Sequence, residues 1–261
     1  MIDAFRLSEL NAGVWRRGDW VSVYEDRRLS PAEILLLLRH REPLSGRVLE
    51  LGPGAGRVTA YLAELASELT ALEISPDMAE ACRRRVPSAT VEVRDMQDLG
   101  GIAGGSLEAV VGTCNVIDVL DDGERRALLA ELHRILVPGG VLLFSSHNRD
   151  HRARRPWEPR DWRNPKALAG DVVRLRDGVR NHRRLHRFER DSDDYTLRND
   201  EAHSFSMILY AIGAAAQQRQ LTEAGFTLEL CLTDDGEPVD PGGAPDRSPY
   251  LHYAARCSSA S

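Results

Sequence analysis

A short run of alternating glycines after an apolar segment constrains this chain more than any other feature. The run is VLELGPGAGRV over residues 48–58, in which Gly52, Gly54 and Gly56 follow a stretch of apolar residues. An apolar run that ends in glycines is typical of a buried strand that turns directly into a helix. Such a turn presents backbone N–H groups at a helix N-terminus, which suits an anionic group of a ligand.

Strands and helices are predicted to alternate on both sides of this loop. Ser30 and Pro31 are typical of an N-cap and a first helical residue, and we expect further helices over residues 55–66 and 205–225. Five apolar runs, near 47–51, 68–74, 89–95, 107–113 and 141–148, are separated by helical segments, and two more strands follow residue 225. This order predicts an α/β fold with a doubly wound, Rossmann-like mixed sheet and helices on both faces.

The chain is interpreted as one domain over residues 1–261 with four parts. Cap helices are expected at 1–45, a ligand-binding core at 46–148, and a last helix with two strands at 206–261. The polar stretch between them, 149–205, is rich in Arg, Asp and His and is expected to be a lid inserted after the fifth strand.

Composition narrows the possible locations and partners. Apolar residues make up 42% of the 261 residues, no apolar run approaches the length of a membrane span, and no secretory signal is visible, so we expect a cytoplasmic protein without membrane contact. The four cysteines lack the spacing of a disulfide framework or a zinc site, so no metal is expected. The net charge of −6 argues against a nucleic-acid surface. The oligomeric state stays open.

The glycine spacing distinguishes among the ligands that such loops hold. A dinucleotide fingerprint places a third glycine where this chain has Arg57, and no lysine follows as in a phosphate-binding P-loop. Glu50, two residues before the first glycine, could face an amino group while the loop holds a carboxylate. Together these groups describe an amino acid moiety.

Acidic residues at the ends of the next two strands extend the pattern. Glu73 follows Gly52 by about the spacing at which an acid accepts hydrogen bonds from a ribose in doubly wound folds. Asp95 and Met96 could offer a carboxylate to the amino group of adenine and an apolar side chain to its ring. Amino acid, ribose and adenine in this order describe S-adenosylmethionine.

Five segments in this order resemble the class I S-adenosylmethionine-dependent methyltransferases of the small-molecule-type branch: VLELGPGAGR, LEISPDM, VRDMQDL, AVVGTCNVIDVL and LHRILVPGGVLLFSSHN. The resemblance implies a seven-stranded sheet with an antiparallel last strand, S-adenosyl-L-methionine as cofactor, and in-line attack on the sulfonium. It carries over, as cofactor-binding residues, Glu50, Gly52, Gly54, Gly56, Glu73, Asp95, Met96, Cys114 and Asn115. Ile74 and Met78 could flank the adenine, although packing is the simpler explanation for both.

Catalytic candidates follow the fifth strand. His147 has the pKa range of a general base, and Asn148 could orient an acceptor. The alternative is that both residues end the strand through local side-chain-to-backbone hydrogen bonds. His203 is a third candidate, and methyl transfer often needs only proximity and alignment.

Substrate candidates lie in the lid and near the N-terminus. Trp157, Trp162 and Tyr210 are expected walls of an acceptor site, with Trp20 beside them, and Tyr24 is placed where similar enzymes close over the cofactor. The arginine-rich run at 178–191 is interpreted as a solvated helix, or as a site for an anionic acceptor.

These patterns predict methyl transfer from S-adenosylmethionine to a small-molecule acceptor such as a secondary metabolite. The alternatives are a non-catalytic regulator that binds S-adenosylmethionine and a methyltransferase that acts on protein or RNA. Neither the acceptor nor its reacting atom can be read from the sequence.

Overall fold

A computed structural model describes residues 6–16, 20–25, 28–152, 157 and 165–258, with the backbone alone described for 165–174 and 202. The helices are α1 Leu7–Trp15, α2 Val21–Tyr24, α3 Pro31–Arg39, α4 Arg41–Leu44, α5 Thr59–Leu62, α6 Pro76–Arg85, α7 Asp122–Ile135, α8 Pro165–Leu185 and α9 Ala214–Glu223. The strands are β1 Arg47–Leu51, β2 Glu68–Glu73, β3 Thr90–Val93, β4 Leu107–Gly112, β5 Leu136–His147, β6 Arg190–Asp191, β7 Tyr195–Asn199, β8 Ile208–Ile212, β9 Phe226–Thr233 and β10 Tyr250–Cys257.

Seven strands form the central sheet in the order β3-β2-β1-β4-β5-β10-β9. The first five run parallel to one another, and β10 runs antiparallel to both of its neighbours, β5 and β9. The mixed, Rossmann-like sheet expected from the sequence is therefore confirmed. Because the order reverses between β1 and β4, the carboxyl ends of these strands open a crevice where ligands of such folds bind.

The sheet is buried on both faces. Leu49 and Leu51 of β1 pack into one apolar cluster with residues of α7, while Val48 packs into a second cluster with residues of α3. Successive side chains of a strand point to opposite faces, so β1 is buried on both faces from Val48 to Leu51. This double burial holds the glycine loop after β1 in a fixed position.

Caps hold the helices that border the crevice. Ser30 Oγ accepts a hydrogen bond from Glu33 N, and the Glu33 carboxylate accepts one from Ser30 N, so a capping box begins α3 with Pro31 as its first residue. Asp121 and Glu124 form a second capping box at α7. The predicted start of α3 is confirmed.

Two predicted helices are wrong in part. The helix expected over 205–225 is divided, because Ile208–Ile212 forms β8 and only Ala214–Glu223 is helical. All five residues of β8 are buried and pair with β7, so strand pairing overrides the helical pattern. The helix expected over 55–66 has regular form only over Thr59–Leu62.

The segment after β5 adds strands to the sheet in addition to a helix. β6, β7 and β8 form antiparallel pairs, and β8 joins the carboxyl end of β5 through the pair His147 and Ala211. Among the described residues, no helix is both long and apolar enough to span a bilayer.

Candidate active site

One cavity of about 350 Å³ lies at the carboxyl ends of β1, β2, β4 and β5. Its wall includes the glycine loop, the ends of β2 and β3, the segment after β4, the end of β5, and parts of α1 and α2. Most of the residues selected from the sequence line this cavity: Tyr24, Gly52, Gly54, Glu73, Ile74, Met78, Asp95, Met96, Cys114, Asn115, His147 and His203.

Glycines of the loop have positive φ values, a backbone conformation that favours glycine. Gly52 and Gly54 have φ values of +59° and +58°. A Cβ atom on Gly52 would lie 2.4 Å from Cγ2 of Val116, whereas one on Gly54 would meet no atom within 4 Å. Gly54 thus presents bare backbone to the cavity, while Gly56 packs against Cys82 of α6 and is not part of the cavity wall.

Glu73 joins the glycine loop to the end of β2. Its Oε2 accepts a hydrogen bond from Gly54 N at 3.0 Å and its Oε1 accepts one from Ser75 N at 2.9 Å. Burial raises the pKa of Glu73, and the backbone donors oppose that rise. Asp95 lies across the same part of the cavity, where its Oδ1 accepts a hydrogen bond from Gln97 N at 2.9 Å.

Two buried oxygens near this end lack a hydrogen-bond partner within the described part of the chain. They are Oδ1 of Asn115, which lines the cavity, and Oε2 of Glu50, which lies in β1 and is not part of the cavity wall. Glu50 is 2% exposed, and burial raises the pKa of its carboxyl group to about 7. Buried polar atoms without partners are uncommon, and a bound polar ligand is one explanation for them.

Arg57, whose position argued against a dinucleotide site, connects α3, the segment before it and the segment after β4. Its guanidinium contacts the Glu33 carboxylate of α3 at 2.5 and 2.7 Å. It also donates to the Arg28 carbonyl at 3.1 Å and to Cys114 Sγ at 2.8 Å. Arg57 and Glu33 are nearly buried and both line the cavity.

The segment after β4 has an unusual backbone. Cys114 and Asn115 have φ values of +54° and +57°, and Asn115 N donates to Ser145 Oγ at 2.8 Å. Residues other than glycine seldom adopt this conformation, and it recurs at functional sites where the surrounding contacts enforce it. Here those contacts come from Ser145 and Arg57.

His147 lies at the end of β5 in a buried network that was not predicted. Its Nδ1 is 2.6 Å from Asp118 Oδ2, and Asp118 Oδ1 is 2.6 Å from Arg125 Nη1. Asp118 also accepts hydrogen bonds from His147 N and Ser146 Oγ. Burial alone would raise the pKa of Asp118, but the charge of Arg125 and the hydrogen bonds from His147 hold it below its ordinary value.

Asn148 does not line the cavity. Its side chain donates to the carbonyls of Asp246 and Ser248 at 2.7 and 2.9 Å and accepts from Asp150 N. Only the bond from Asp150 N is local, so the alternative considered from sequence describes Asn148 in part, and the other two bonds tie the end of β5 to the loop before β10.

His203 is enclosed by aromatic residues of the N-terminal helices. Its ring centroid lies 4.7 Å from that of Trp15 and 4.2 Å from that of Trp20, and its Nε2 lies 3.2 Å from the hydroxyl oxygen of Tyr24. Trp15, Tyr24 and His203 line the cavity, while Trp20 lies behind them and donates to Val14 O.

The other predicted substrate residues lie elsewhere. Tyr210 is buried in β8, outside the cavity wall, and its hydroxyl donates to Asp122 Oδ1 at 2.7 Å. Trp157 is 58% exposed and contacts only the ring of His182 among the ring contacts that the structure describes. Trp162 lies outside the described residues. The residues at 178–191 also do not contribute to the cavity wall.

The sequence analysis missed several residues that the fold brings to the site: Trp15, Glu33, Asp118, Arg125, Asp234 and His252. Asp118 could have been recognised from the sequence, because an acid within the apolar run VIDVL needs a buried partner. Asp234 and His252 lie 2.9 Å apart between side-chain atoms but 18 residues apart in sequence, and no local pattern relates them.

Comparison with known proteins agrees with this geometry. Residues 48–140, which contain β1 to β4 and the start of β5, match a family model described as a methyltransferase domain.

Curated relatives that match part of the chain are named as methyltransferases. A ubiquinone biosynthesis O-methyltransferase of Xanthomonas axonopodis pv. citri is 29% identical over 126 residues, which cover 46% of this chain and 51% of the relative. A dTDP-3-amino-3,4,6-trideoxy-alpha-D-glucopyranose N,N-dimethyltransferase of Streptomyces venezuelae is 28% identical over 155 residues, or 59% of this chain and 60% of the relative. The chain thus matches about half of the length of the first relative.

Solved structures share the fold over most of the chain. An S-adenosylmethionine-dependent methyltransferase from Mesorhizobium loti superposes with a TM-score of 0.56 at 20% identity, covering 85% of this chain and 96% of that one. The fold, the sequence match and the order of glycines and acids around the cavity lead to one conclusion. Residues 48–140 match the methyltransferase-domain family, and the chain has the fold of the class I S-adenosylmethionine-dependent methyltransferases, whose cofactor is S-adenosyl-L-methionine.

Proposed function

We propose that this protein transfers a methyl group from S-adenosylmethionine to a small-molecule acceptor in the cytoplasm. The observation that carries the proposal is the single cavity that joins two kinds of surface. The glycine loop, Glu73 and Asp95 form one end, and His147 with an aromatic and apolar wall forms the other.

The first end fits the cofactor. The backbone at Gly54 is open to the cavity and suits the carboxylate of the methionine end. The unpartnered oxygen of Glu50 suits the ammonium group of the same end. Glu73 is assigned to the ribose hydroxyls and Asp95 to the adenine, and this is supported by their place in the cavity wall, with Ile74, Met78 and Met96 as apolar lining residues. Cys114 and Asn115 are assigned to the cavity wall beside the sulfonium. Tyr24 is assigned to the part of the wall that covers the methionine end.

When bound, S-adenosylmethionine supplies an electrophilic methyl group on a sulfonium. His147 is assigned as the general base, because Asp118 holds its Nδ1 and so leaves Nε2 to take a proton from the acceptor. Asp118 acts through His147 and is therefore a positioning residue. Arg125 keeps that carboxylate ionised inside the protein, where both side chains are 0% exposed.

The wall of the second end supports a small acceptor. Trp15, Tyr24, Met207 and Leu209 line it, and α1 is held over it by hydrogen bonds from Asn11 to the carbonyls of Val119 and Ile208 at 2.8 Å. The names of the relatives, a ubiquinone-pathway enzyme and a nucleotide-sugar enzyme, also support small acceptors.

Turnover tests the proposal and separates it from a non-catalytic regulator. The protein is incubated with methyl-labelled S-adenosylmethionine and a library of small acceptors, and labelled product and S-adenosylhomocysteine are measured. We expect turnover with at least one acceptor, reduced about 10²–10⁴-fold in His147→Gln. The matched control is His151→Gln, because His151 lies four residues further on, bonds to Arg247 O and does not line the cavity. Binding of S-adenosylmethionine without turnover across the library, or labelling of protein or RNA in its place, would contradict the proposal.

A further inference from the structure

Helix α3 is apolar on two sides, although only one of them packs against the sheet. Leu36 and Leu37 are buried in the second apolar cluster. Ile34, Leu35 and Leu38 lie on the outer side and are 43%, 46% and 54% exposed. A surface helix normally carries polar residues on its outer side, and contiguous exposed apolar residues mark a contact with another molecule. We call Ile34, Leu35 and Leu38 the α3 patch.

Two acidic side chains lie at the N-terminal end of the α3 patch. The loop at 234–237 packs there, since the first turn of α3 donates a backbone hydrogen bond to the carbonyl of Asp234 at 3.2 Å. A Cβ atom on Gly236 of this loop would lie 2.8 Å from Cδ1 of Leu35. Asp235 and Glu237 are exposed, and neither forms an ion pair with another described residue. This end of the patch is therefore negative.

Two arginines lie at the opposite end. Arg39 is the last residue of α3 and continues its outer side, because it follows a residue of the patch by four positions, and Arg41 begins α4. Both are exposed, and within the described part of the chain neither has an ion-pair partner. The acid that follows, Glu42, lies beside another cation, because the pKa of Arg256 is raised by its hydrogen bond to Glu229 and by the charge of Glu42. This end of the patch is therefore positive.

Opposite charges at opposite ends make the patch complementary to a second copy of itself. A two-fold axis perpendicular to α3 at its centre would place the acidic end of one protomer against the basic end of the other and bring the apolar centres together. The ends are about 13 Å apart, since α3 has nine residues. A membrane surface or a nucleic acid fits less well, because both are anionic and the acidic end would repel them.

We propose that the protein forms a symmetric homodimer in which two α3 helices pack antiparallel across a two-fold axis. The two α3 patches contact each other, and Arg39 and Arg41 of one protomer pair with Asp235 and Glu237 of the other. Three partly exposed side chains with two charged ends make a contact smaller than the roughly 800 Å² per partner of a standard interface, so we expect a dissociation constant in the micromolar range. The α3 patch lies outside the cavity wall, so the inference does not depend on the acceptor.

Charge reversal at each end tests this arrangement. One variant carries Arg39→Glu with Arg41→Glu, and the other carries Asp235→Arg with Glu237→Arg. We expect each variant alone to be monomeric at concentrations where the wild-type protein is dimeric, because like charges then meet at both ends. An equimolar mixture should form dimers again, since every pair across the axis is then of opposite charge. Sedimentation velocity over about 1–300 µM protein measures the masses.

A third variant tests the apolar centre. Leu38→Glu is expected to weaken association at least about tenfold, because it places a charge in the centre of the contact. The matched control for charge is Arg183→Glu with Arg184→Glu, which changes the net charge of the chain by the same amount on exposed residues of α8. We expect this control to dimerise like the wild-type protein. Thermal unfolding shows that each variant is folded.

A wild-type protein that stays monomeric at the highest concentration would overturn the inference. A dimer that both charge variants leave intact would do the same, as would a mixture of the two variants that remains monomeric. A species of more than two copies would contradict the single two-fold axis. Loss of the dimer in the Arg183 and Arg184 control would show that net charge, and not the α3 patch, governs association.

Discussion

At the scale of single residues, the site depends on buried charges that compensate one another. Arg125 and Asp118 are both fully buried, and Gln217, Gln220 and Ser146 accept three further hydrogen bonds from the guanidinium. A buried ion pair contributes little net stability, but removing one partner leaves an uncompensated charge at a cost of about 3–5 kcal/mol. We infer that this pair is retained to orient His147 more than to stabilise the fold.

The first prediction concerns the protonation of His147. At a pH where its imidazole is neutral, ¹⁵N NMR of the wild-type protein should show a proton on Nδ1 and none on Nε2, because Asp118 accepts from Nδ1. In Asp118→Asn we expect turnover to fall about 10²–10⁴-fold while the affinity for S-adenosylhomocysteine stays within about threefold. A proton on Nε2 in the wild-type protein would exclude His147 as the base.

The second prediction concerns Glu50, whose pKa burial raises to about 7. Only the carboxylate form attracts the ammonium of the cofactor, so affinity should be lower below that pH and higher above it. We expect the Kd for S-adenosylhomocysteine to increase about tenfold between pH 8 and pH 6.

Glu50→Gln is the control for this prediction, since it has no charge to lose and should bind more weakly with little dependence on pH. Calorimetry at several pH values measures both proteins. A wild-type Kd that does not change over this range would show that Glu50 does not face the ammonium.

At the scale of secondary-structure elements, the parts of the site that are local in sequence were predictable. Gly52, Glu73 and Asp95 each follow or end a predicted strand. Parallel strands bring their carboxyl ends to the same edge of the sheet, so these residues were expected at one crevice, and they line one cavity. Asp118 and His252 were missed because their partners come from distant segments.

Tyr210 shows why the segment after β5 was harder to predict. The run MILYAI has the apolar spacing of either a buried strand or a helix, and periodicity alone cannot distinguish them. Pairing with β7 makes it a strand, and this directs the hydroxyl of Tyr210 to Asp122 instead of to the cavity.

The third prediction tests that placement. Tyr210→Phe should lower the free energy of unfolding by about 0.5–1.5 kcal/mol, because Asp122 loses a hydrogen-bond donor. Its affinity for S-adenosylhomocysteine should be unchanged.

Tyr195→Phe is the control, since the ring centroid of Tyr195 lies 4.7 Å from that of Tyr210, and we expect a smaller loss of unfolding free energy. Urea unfolding measures both. A large loss of turnover in Tyr210→Phe with unchanged stability would restore Tyr210 as an acceptor contact.

At the scale of the whole molecule, segments from both ends of the chain complete the cavity at one edge of the seven-stranded sheet. The core strands supply the glycine loop and the acids, α1 and α2 supply aromatic cover, and β10 returns His252 beside β5. In the proposed function, the cofactor and the acceptor thus occupy one cavity. The account makes Glu73 central, because it contacts the glycine loop and is assigned to the ribose.

Calorimetric titration with S-adenosylmethionine, S-adenosylhomocysteine and NAD, on the wild-type protein and on Glu73→Ala, tests this claim most directly. Glu68→Ala is the matched control, since Glu68 is an exposed acid at the other end of the same strand. We expect the wild-type protein and Glu68→Ala to bind the first two ligands and not NAD, and Glu73→Ala to lose at least about a hundredfold in affinity. Binding of NAD alone, or equal binding of S-adenosylhomocysteine by Glu73→Ala, would contradict the assignment of the cavity.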